Sequence, residues 1–256
     1  MDYKISKIRI NPGNIGSDWK VKEVIEKAKD TKTPLRVGIN GGSLPVSLRK
    51  KSDKAAAMIL AAEKEIDLFE KYGFSDAVFS LKSSDVETTI IANELFAGKY
   101  KFPLHLGVTE AGPLINGIVK NTAGILPLLQ KKIGATIRVS LSSSPEDEIT
   151  AGKAILFQAG LGSEFVNIIS CPKCGRAEFD VHEFLSRINL KLNQIRKPVT
   201  IAIMGCAVNG PQEAKEADLG ITGSGNSVVI FKKGEIIKKT TSVSAEAEFI
   251  REIDSL

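Results

Sequence analysis

The chain has 256 residues, of which 43% are hydrophobic and 25% charged, a balance typical of a globular protein with one large domain or two smaller ones. Lys and Arg number 35 against 30 Asp and Glu, so the net charge of +5 fits an anionic ligand or simply a basic surface. Aromatic residues make up 6% and form no stripe interleaved with basic residues, which argues against a nucleic-acid-binding surface.

The cysteine count and the apolar runs bear on the compartment. Three cysteines are an odd number, which argues against a secreted disulfide framework and favours a reducing environment. The first residues contain no apolar segment of the kind found in signal peptides. The longest uncharged apolar run, residues 55–62, is too short to cross a bilayer. We therefore expect a cytoplasmic protein without membrane contact.

The first half of the chain repeats one pattern, a short apolar run followed by polar residues and then by helix-like sequence. Strand propensity, glycine-rich exits and Ser, Thr or Asn caps predict strand–loop–helix units, and their spacing is that of β/α repeats. The periodicity of residues 54–72 predicts a helix that ends at Gly73, and residues 84–97 predict another. The five predicted strands are residues 8–10, 35–39, 77–81, 104–108 and 137–139.

Repeated β/α units predict a parallel sheet whose ligands gather at the carboxyl ends of the strands. Arg9, Arg36 and Arg138 lie within predicted strands, where an unpaired buried charge is costly. They indicate a cavity for anions; the alternative is that they point outward to surface carboxylates. The residues expected at the strand ends are Asn11, Asn40, Lys82, Glu110 and Ser140.

Five units do not close an eight-stranded barrel, so the chain is either an open sheet or a barrel without its first units. A predicted strand begins almost at the first residue, which favours the second interpretation, a barrel without its first units. Ser144 and the acidic residues after it predict a helix start, and the β/α repetition ends near residues 160–167. Beyond it we expect a helix over 178–195, strands over 199–204, 227–231 and 235–239, and a helix over 245–253.

All three thiols lie in this second part, Cys171 and Cys174 in a CxxC loop and Cys206 directly after the strand 199–204. Thiolates at this spacing bind zinc or an iron–sulfur cluster, and reactive or structural thiols are the remaining alternative. A structural zinc site usually has four protein ligands, whereas a cluster can be held by three thiolates and a weaker ligand. Glu213 could be that oxygen ligand. His105 is interpreted as a packed histidine and His182 as a surface residue.

Seven motifs follow one another along nearly the whole chain. They are RINPGN at 9–14, RVGINGGSL at 36–44, LKSSD at 81–85, HLGVTEAG at 105–112, IRVSL at 137–141, ISCPKCGRAEFDV at 169–181 and MGCAVNGPQEA at 204–214. In this order they resemble the motifs of the GcpE family, the 4-hydroxy-3-methylbut-2-en-1-yl diphosphate synthases.

The resemblance implies a partial TIM-type barrel over residues 1–163 and a smaller α/β iron–sulfur domain over 164–256. It implies an oxidoreductase that converts 2-C-methyl-D-erythritol 2,4-cyclodiphosphate to 4-hydroxy-3-methylbut-2-enyl diphosphate by two-electron ring opening and loss of water. Cys171, Cys174, Cys206 and Glu213 would hold a [4Fe-4S] cluster, and Glu110 would supply protons. The residues that would bind the substrate are Arg9, Asn11, Arg36, Asn40, Lys82, Thr109, Arg138, Ser140 and Asn209.

The family also implies partners: a homodimer in which the barrel of one subunit faces the cluster domain of the other, and flavodoxin or ferredoxin as electron donor. No predicted strand is followed by a GxGxxG motif, which would indicate a bound nicotinamide or flavin. Two departures from the family pattern are three further β/α units expected before residue 8 and Gln212 in place of a glycine. Two alternatives therefore stay open: a non-catalytic metal-binding remnant, and a zinc-stabilised diphosphate-binding protein.

Overall fold

The computed structural model describes residues 5–162, 165–172, 174–207, 210–225 and 227–256, without the side chains of Pro12, Gly13, Gly210 and Glu213. The chain divides into two compact units, Met1–Gly160 and Leu161–Leu256. Both mix helices with parallel strands, which confirms the α/β class. No helix in these ranges is long and apolar enough to cross a membrane.

The first unit alternates strands and helices as the sequence predicts. Its strands are β1 (Ile8–Ile10), β2 (Leu35–Asn40), β3 (Ala77–Lys82), β4 (His105–Leu106) and β5 (Thr136–Ile137). Its helices are α1 (Pro12–Ile15), α2 (Asp18–Thr31), α3 (Val46–Arg49), α4 (Lys54–Lys71), α5 (Val86–Lys99), α6 (Leu114–Gln130) and α7 (Pro145–Gln158), and a 3-10 turn spans Gly41–Ser43.

The strands of the first unit run parallel in the order β1-β2-β3, and β4 pairs with β5. A parallel bridge between Phe79 and Leu104 connects the two groups of strands. Parallel strands need crossover connections, which the helices supply. The two last predicted strands are shorter than expected: residues 104–108 are a strand only at 105–106, and residues 137–139 only at 137, so that Arg138 and Val139 follow β5.

Side-chain caps begin the helices where the sequence places them. Asp53 and Asp85 accept hydrogen bonds from the amides of Ala56 and Thr88, at 2.9 and 2.7 Å. The predicted cap Ser144 accepts from the Asp147 amide at 3.3 Å. Each cap satisfies an amide that the helix itself leaves without a partner. Gly73, with φ 61°, follows α4 as predicted.

The second unit is a five-stranded sheet in the order β10-β9-β8-β7-β6, parallel at β6-β7-β8 and antiparallel beyond. The predicted helix over 178–195 is shorter at both ends, because it begins after the cap Asp180 and already ends at Leu192. The elements are β6 (Val166–Ser170), α8 (Val181–Leu192), β7 (Val199–Met204), α9 (Gly210–Glu213), β8 (Leu219–Ser224), β9 (Ser227–Lys232), β10 (Glu235–Thr240) and α10 (Ala245–Asp254).

Candidate active site

The strands of the first unit have one apolar face and one polar face. Side chains alternate between the two faces, so Leu35, Val37 and Ile39 are buried on one while Arg36 lies on the other. Residues in parallel register share a face, which places Arg9 beside Arg36. Asn40 is in register with Lys82 in the same way. The polar residues of three strands therefore line up on one side of the sheet.

Four cations gather on this side, Arg9, Arg36, Lys82 and Arg138, which we call the cationic cluster. The charges of Arg9 and Arg138 lower the pKa of Arg36, although burial is the larger cause. Burial, and to a smaller extent the charges of the three arginines, together lower the pKa of Lys82 to about 7. Like charges disfavour each other's protonated forms in this way only at short range. The arrangement suits a multiply charged anion.

Two glycines make room for these side chains. At Gly38 an added Cβ would lie 3.0 Å from the Arg9 guanidinium nitrogens Nε and Nη2. At Gly107 it would lie 2.7 Å from the Lys82 Nζ and 2.5 Å from the Arg138 carbonyl oxygen. Both approaches are closer than a side chain would ordinarily permit. The glycines let the basic side chains lie flat on the neighbouring strand.

Arg36 is held by a histidine. Its Nη1 lies 3.1 Å from the His105 Nε2, and the His105 Nδ1 lies 2.8 Å from the Thr136 Oγ1. The Arg36 Nε is buried without a hydrogen-bond partner among the described residues. A buried donor left in this state is costly unless a ligand satisfies it. The burial expected for His105 is confirmed, and its polar contacts are what sequence reasoning missed.

Arg138 partly fits the alternative in which strand arginines meet surface carboxylates. Its side chain is 60% exposed, and its Nη2 lies 3.5 Å from a Glu148 carboxylate oxygen. An exposed pair of this kind contributes little to stability. Arg9 is exposed as well, whereas Arg36 is half-buried. The three arginines thus differ, and Arg36 is the one that is held firmly in place.

One asparagine, Asn11, follows β1, and another, Asn40, is the last residue of β2. The Asn11 Nδ2 donates to the Ser43 Oγ at 3.2 Å, and Asn40 is half-buried at the end of β2. Both line a cavity of about 250 Å³, which also contains Glu65. Glu65 is 5% exposed, and its Oε2 has no hydrogen-bond partner among the described residues. Sequence reasoning missed this buried carboxyl.

The loop after β4 carries Thr109 and Glu110. The Thr109 amide donates to the Ser83 carbonyl at 3.1 Å, which anchors the loop to the end of β3. Glu110 is exposed and has φ 54°, a left-handed conformation that is uncommon outside glycine. The Ser140 carbonyl accepts from the Asn121 Nδ2 at 3.2 Å. These contacts fix the backbone of the loops and leave the Glu110 carboxylate in solvent.

The thiols follow neighbouring strands of the second unit. β6 and β7 are parallel with Ser170 opposite Ile203, so Cys171 and Cys206 come from the same edge of the sheet. The Gly205 amide donates to the Cys171 Sγ at 3.1 Å. Amide donors of this kind stabilise thiolate ligands, so the donor chemistry fits an iron–sulfur cluster. Cys206 is buried and Cys174 exposed.

Among the described residues, the structure does not bring the predicted metal ligands together. There, His, Cys, Asp and Glu side chains form no group of three placed to hold a metal ion. Asn209 lies outside the described residues, and so does the side chain of Glu213, whose backbone ends α9.

A parallel α/β unit with a cationic site, followed by a unit with three thiols, defines a two-part enzyme-like architecture. The family model for the GcpE TIM-barrel domain matches residues 1–153, and that for the GcpE protein C-terminal domain matches residues 167–255. The chain therefore belongs to the GcpE family, which confirms the resemblance inferred from the motifs.

Three curated relatives from different bacteria carry the name 4-hydroxy-3-methylbut-2-en-1-yl diphosphate synthase (flavodoxin). The Treponema denticola protein is 49% identical, with 100% of this chain and 74% of the relative covered. That of Treponema pallidum is 47% identical, with 93% and 62% covered. That of Bacillus subtilis is 41% identical, with 100% and 71% covered. The chain thus spans roughly two thirds to three quarters of the length of most of these relatives, and somewhat less of the Treponema pallidum one.

Proposed function

We propose that this chain carries out the family reaction, the reductive opening of 2-C-methyl-D-erythritol 2,4-cyclodiphosphate to 4-hydroxy-3-methylbut-2-enyl diphosphate. The reaction takes up two electrons and protons, breaks the ring and releases a hydroxyl as water. The name of the relatives supports the diphosphate product. The observation that carries the proposal is the cationic cluster, in which the buried Arg36 Nε lacks a partner among the described residues.

The cationic cluster would bind the cyclic diphosphate. Lys82 is 9% exposed and Arg36 half-buried, so an anion that reaches them meets donors already stripped of much of their water. Charge-assisted hydrogen bonds to such donors are worth about 1.5–3 kcal/mol each. A bound diphosphate also favours the protonated form of Lys82 and so reverses the fall of its pKa. Arg9 and Arg138 would complete the charge balance from the rim.

Polar side chains around the cluster would orient the sugar part of the substrate. Asn11, Asn40, Thr109, Ser140 and Asn209 are the proposed hydrogen-bonding residues. Glu110 is the proposed proton donor, because it follows β4 at the end of the strands and has an exposed carboxyl. Its left-handed backbone is a feature that recurs at functional sites.

The second unit would carry the redox centre. Cys171, Cys174, Cys206 and Glu213 are proposed to hold a [4Fe-4S] cluster, which when bound supplies single electrons at low potential. The Gly205 amide on the Cys171 sulfur supports thiolate ligation at this place. We assign residues 1–163 to a partial TIM-type barrel that binds substrate and residues 164–256 to the cluster domain. Flavodoxin, named for the relatives, or ferredoxin would deliver the electrons.

A homodimer completes the proposal, with the barrel of one subunit serving the cluster domain of the other. The cytoplasm is the proposed compartment, because exposed and half-buried free thiols such as Cys174 and Cys171 need reducing conditions.

The test is anaerobic purification and reconstitution, followed by iron and sulfide analysis and turnover of the cyclic diphosphate with a chemical reductant. About four irons per chain in the wild type, lost in Cys206→Ser, are expected. Turnover should fall in Arg36→Met and persist in Arg196→Met, which changes an exposed arginine of the second unit. One zinc per chain and no turnover would refute the redox function and favour a zinc-stabilised diphosphate-binding protein.

The second candidate function is metal binding without catalysis, which the Gly205 amide on the Cys171 sulfur would support equally well. A cluster that reconstitutes in a protein without turnover would establish it. A version extended by three β/α units is the comparison: if only the extended protein turns over, the activity depends on those units.

A further inference from the structure

His105 makes two polar contacts from the interior of the first unit. It is 6% exposed, and its two ring nitrogens contact Arg36 and Thr136. A guanidinium only donates hydrogen bonds, so the His105 Nε2 must accept from the Arg36 Nη1. The His105 Nδ1 then carries the proton and donates to the Thr136 Oγ1. The contacts therefore select one neutral tautomer of the imidazole.

The surroundings keep His105 neutral. Among the described residues, the charged groups that act on it are all cations, namely Lys82, Arg36, Lys7 and Arg138. Burial, and to a smaller extent these charges, together lower the pKa of His105 to about 3. A protonated imidazole could also no longer accept from Arg36. A carboxylate in the same position would hold Arg36 but cancel its charge, whereas neutral imidazole leaves the charge available.

The contact also decides which edge of the guanidinium is available. With Nη1 engaged by His105, the edge formed by Nε and Nη2 is left for a ligand, and Nε is the buried nitrogen that lacks a partner among the described residues. Two parallel donors on this edge match two oxygens of a phosphate group.

We propose that His105, held by Thr136, is a positioning residue that turns the Nε–Nη2 edge of Arg36 toward the diphosphate of the substrate. The proposal rests on the proposed function for the identity of the ligand. It adds a residue that does not touch the substrate and acts only through Arg36.

Calorimetric binding of inorganic diphosphate to the full chain, at one fixed pH, tests this coupling. His105→Gln keeps an amide acceptor near the place of Nε2, whereas His105→Asn reaches only as far as Nδ1. We expect His105→Asn to weaken binding about tenfold and His105→Gln to recover most of that loss. In Arg36→Leu, the further change His105→Asn should have no added effect, because the histidine acts through the arginine. His182→Gln, at an exposed helix position, is the control.

Three results overturn the inference. The first is that His105→Asn binds diphosphate as tightly as the wild type does, and the second is that its loss of affinity adds fully to the loss caused by Arg36→Leu. The third is that the wild type does not bind diphosphate. The proposed function fails separately. If the reconstituted protein does not turn over the cyclic diphosphate while the diphosphate cycle behaves as expected, the positioning role stands and the reaction does not.

Nitrogen NMR of the imidazoles gives a second readout that a merely structural role would not move. The chain has two histidines, so His105→Asn assigns both sets of signals. We expect His105 to be neutral at pH 6 with its proton on Nδ1, and its Nε2 signal to shift when diphosphate binds. A proton on Nε2, or an imidazolium at this pH, overturns the inference.

Discussion

Glu65 gives the sharpest test of the electrostatics of the first unit. Its side chain lines the cavity that Asn11 and Asn40 also line. Burial raises the pKa of the Glu65 carboxyl from its ordinary value of 4.5 to about 7; nearby Lys64 opposes the rise and Asp18 adds to it. Because burial disfavours the ionised form, the folded protein holds the proton more tightly than the unfolded chain does.

The sign and size of the effect on stability follow from linkage. Below about pH 4.5 the carboxyl is protonated in both states, and between about 4.5 and 7 only the unfolded chain ionises. The free energy of unfolding therefore falls as the pH rises through this range and levels off above pH 7. A rise from 4.5 to about 7, at about 1.4 kcal/mol for each pH unit, amounts to about 3.5 kcal/mol, of which about 3 kcal/mol falls between pH 4.5 and pH 8. Glu65→Gln keeps the size of the side chain and removes this loss.

The assay is urea unfolding at pH 4.5, 6 and 8, followed by the fluorescence of Trp19. This residue is the one tryptophan of the chain and lies in α2, so the signal reports on the unit that contains Glu65. Relative to the wild type, Glu65→Gln should gain about 3 kcal/mol between pH 4.5 and pH 8. Glu70→Gln, on the exposed side of the same helix, should show no such trend. A wild-type-to-variant difference that is equal at all three pH values refutes the reasoning.

Three further predictions address the two sites and the core. Because the pKa of Lys82 is about 7, diphosphate affinity should fall as the pH rises from 6 to 8, and Lys82→Met should bind weakly with a flatter profile in calorimetry. Gly220→Ala places a Cβ 2.0 Å from the Phe231 ring, so circular dichroism should show a loss of about 1–3 kcal/mol, partly recovered by adding Phe231→Leu. If each catalytic site combines two subunits, mixing the inactive variants Glu110→Gln and Cys206→Ser and letting their subunits exchange should restore about a quarter of wild-type turnover. A mixed dimer that shows no recovery of turnover contradicts the shared site.

Much of the fold could be predicted because its signals are local. The helix stripe Met58, Ala62, Ile66 and Phe69 is buried as its spacing indicates. β7 spans the predicted residues 199–204, an apolar run before the Cys206 loop. β8 was not predicted, because Gly220 and Gly223 make Leu219–Ser224 resemble a turn. Gly220 is needed there for a contact with Phe231 on the next strand, which short-range pattern cannot show.

The burial of Glu65 could have been predicted from its position in the sequence. It lies seven residues after Met58 and three after Ala62, on the same face of α4, and helical periodicity alone therefore places it inside. A charged residue within an apolar stripe should be examined as a candidate buried titratable group. His105 is different, because its partners Arg36 and Thr136 come from β2 and β5, and no sequence spacing predicts that contact.

The cationic cluster lowers the stability of the first unit. Arg9 and Arg36 are directly opposite each other in parallel register, and like charges at such positions destabilise a sheet. The contact that the structure shows for Arg36 is with a neutral imidazole, which orients the guanidinium without offsetting its charge. A protein that needed only a stable sheet would gain from a carboxylate at His105. With a neutral imidazole at this position, the repulsion between Arg9 and Arg36 persists in the free protein and is relieved when an anion binds. The same repulsion that lowers the stability of the free protein therefore increases its affinity for a diphosphate.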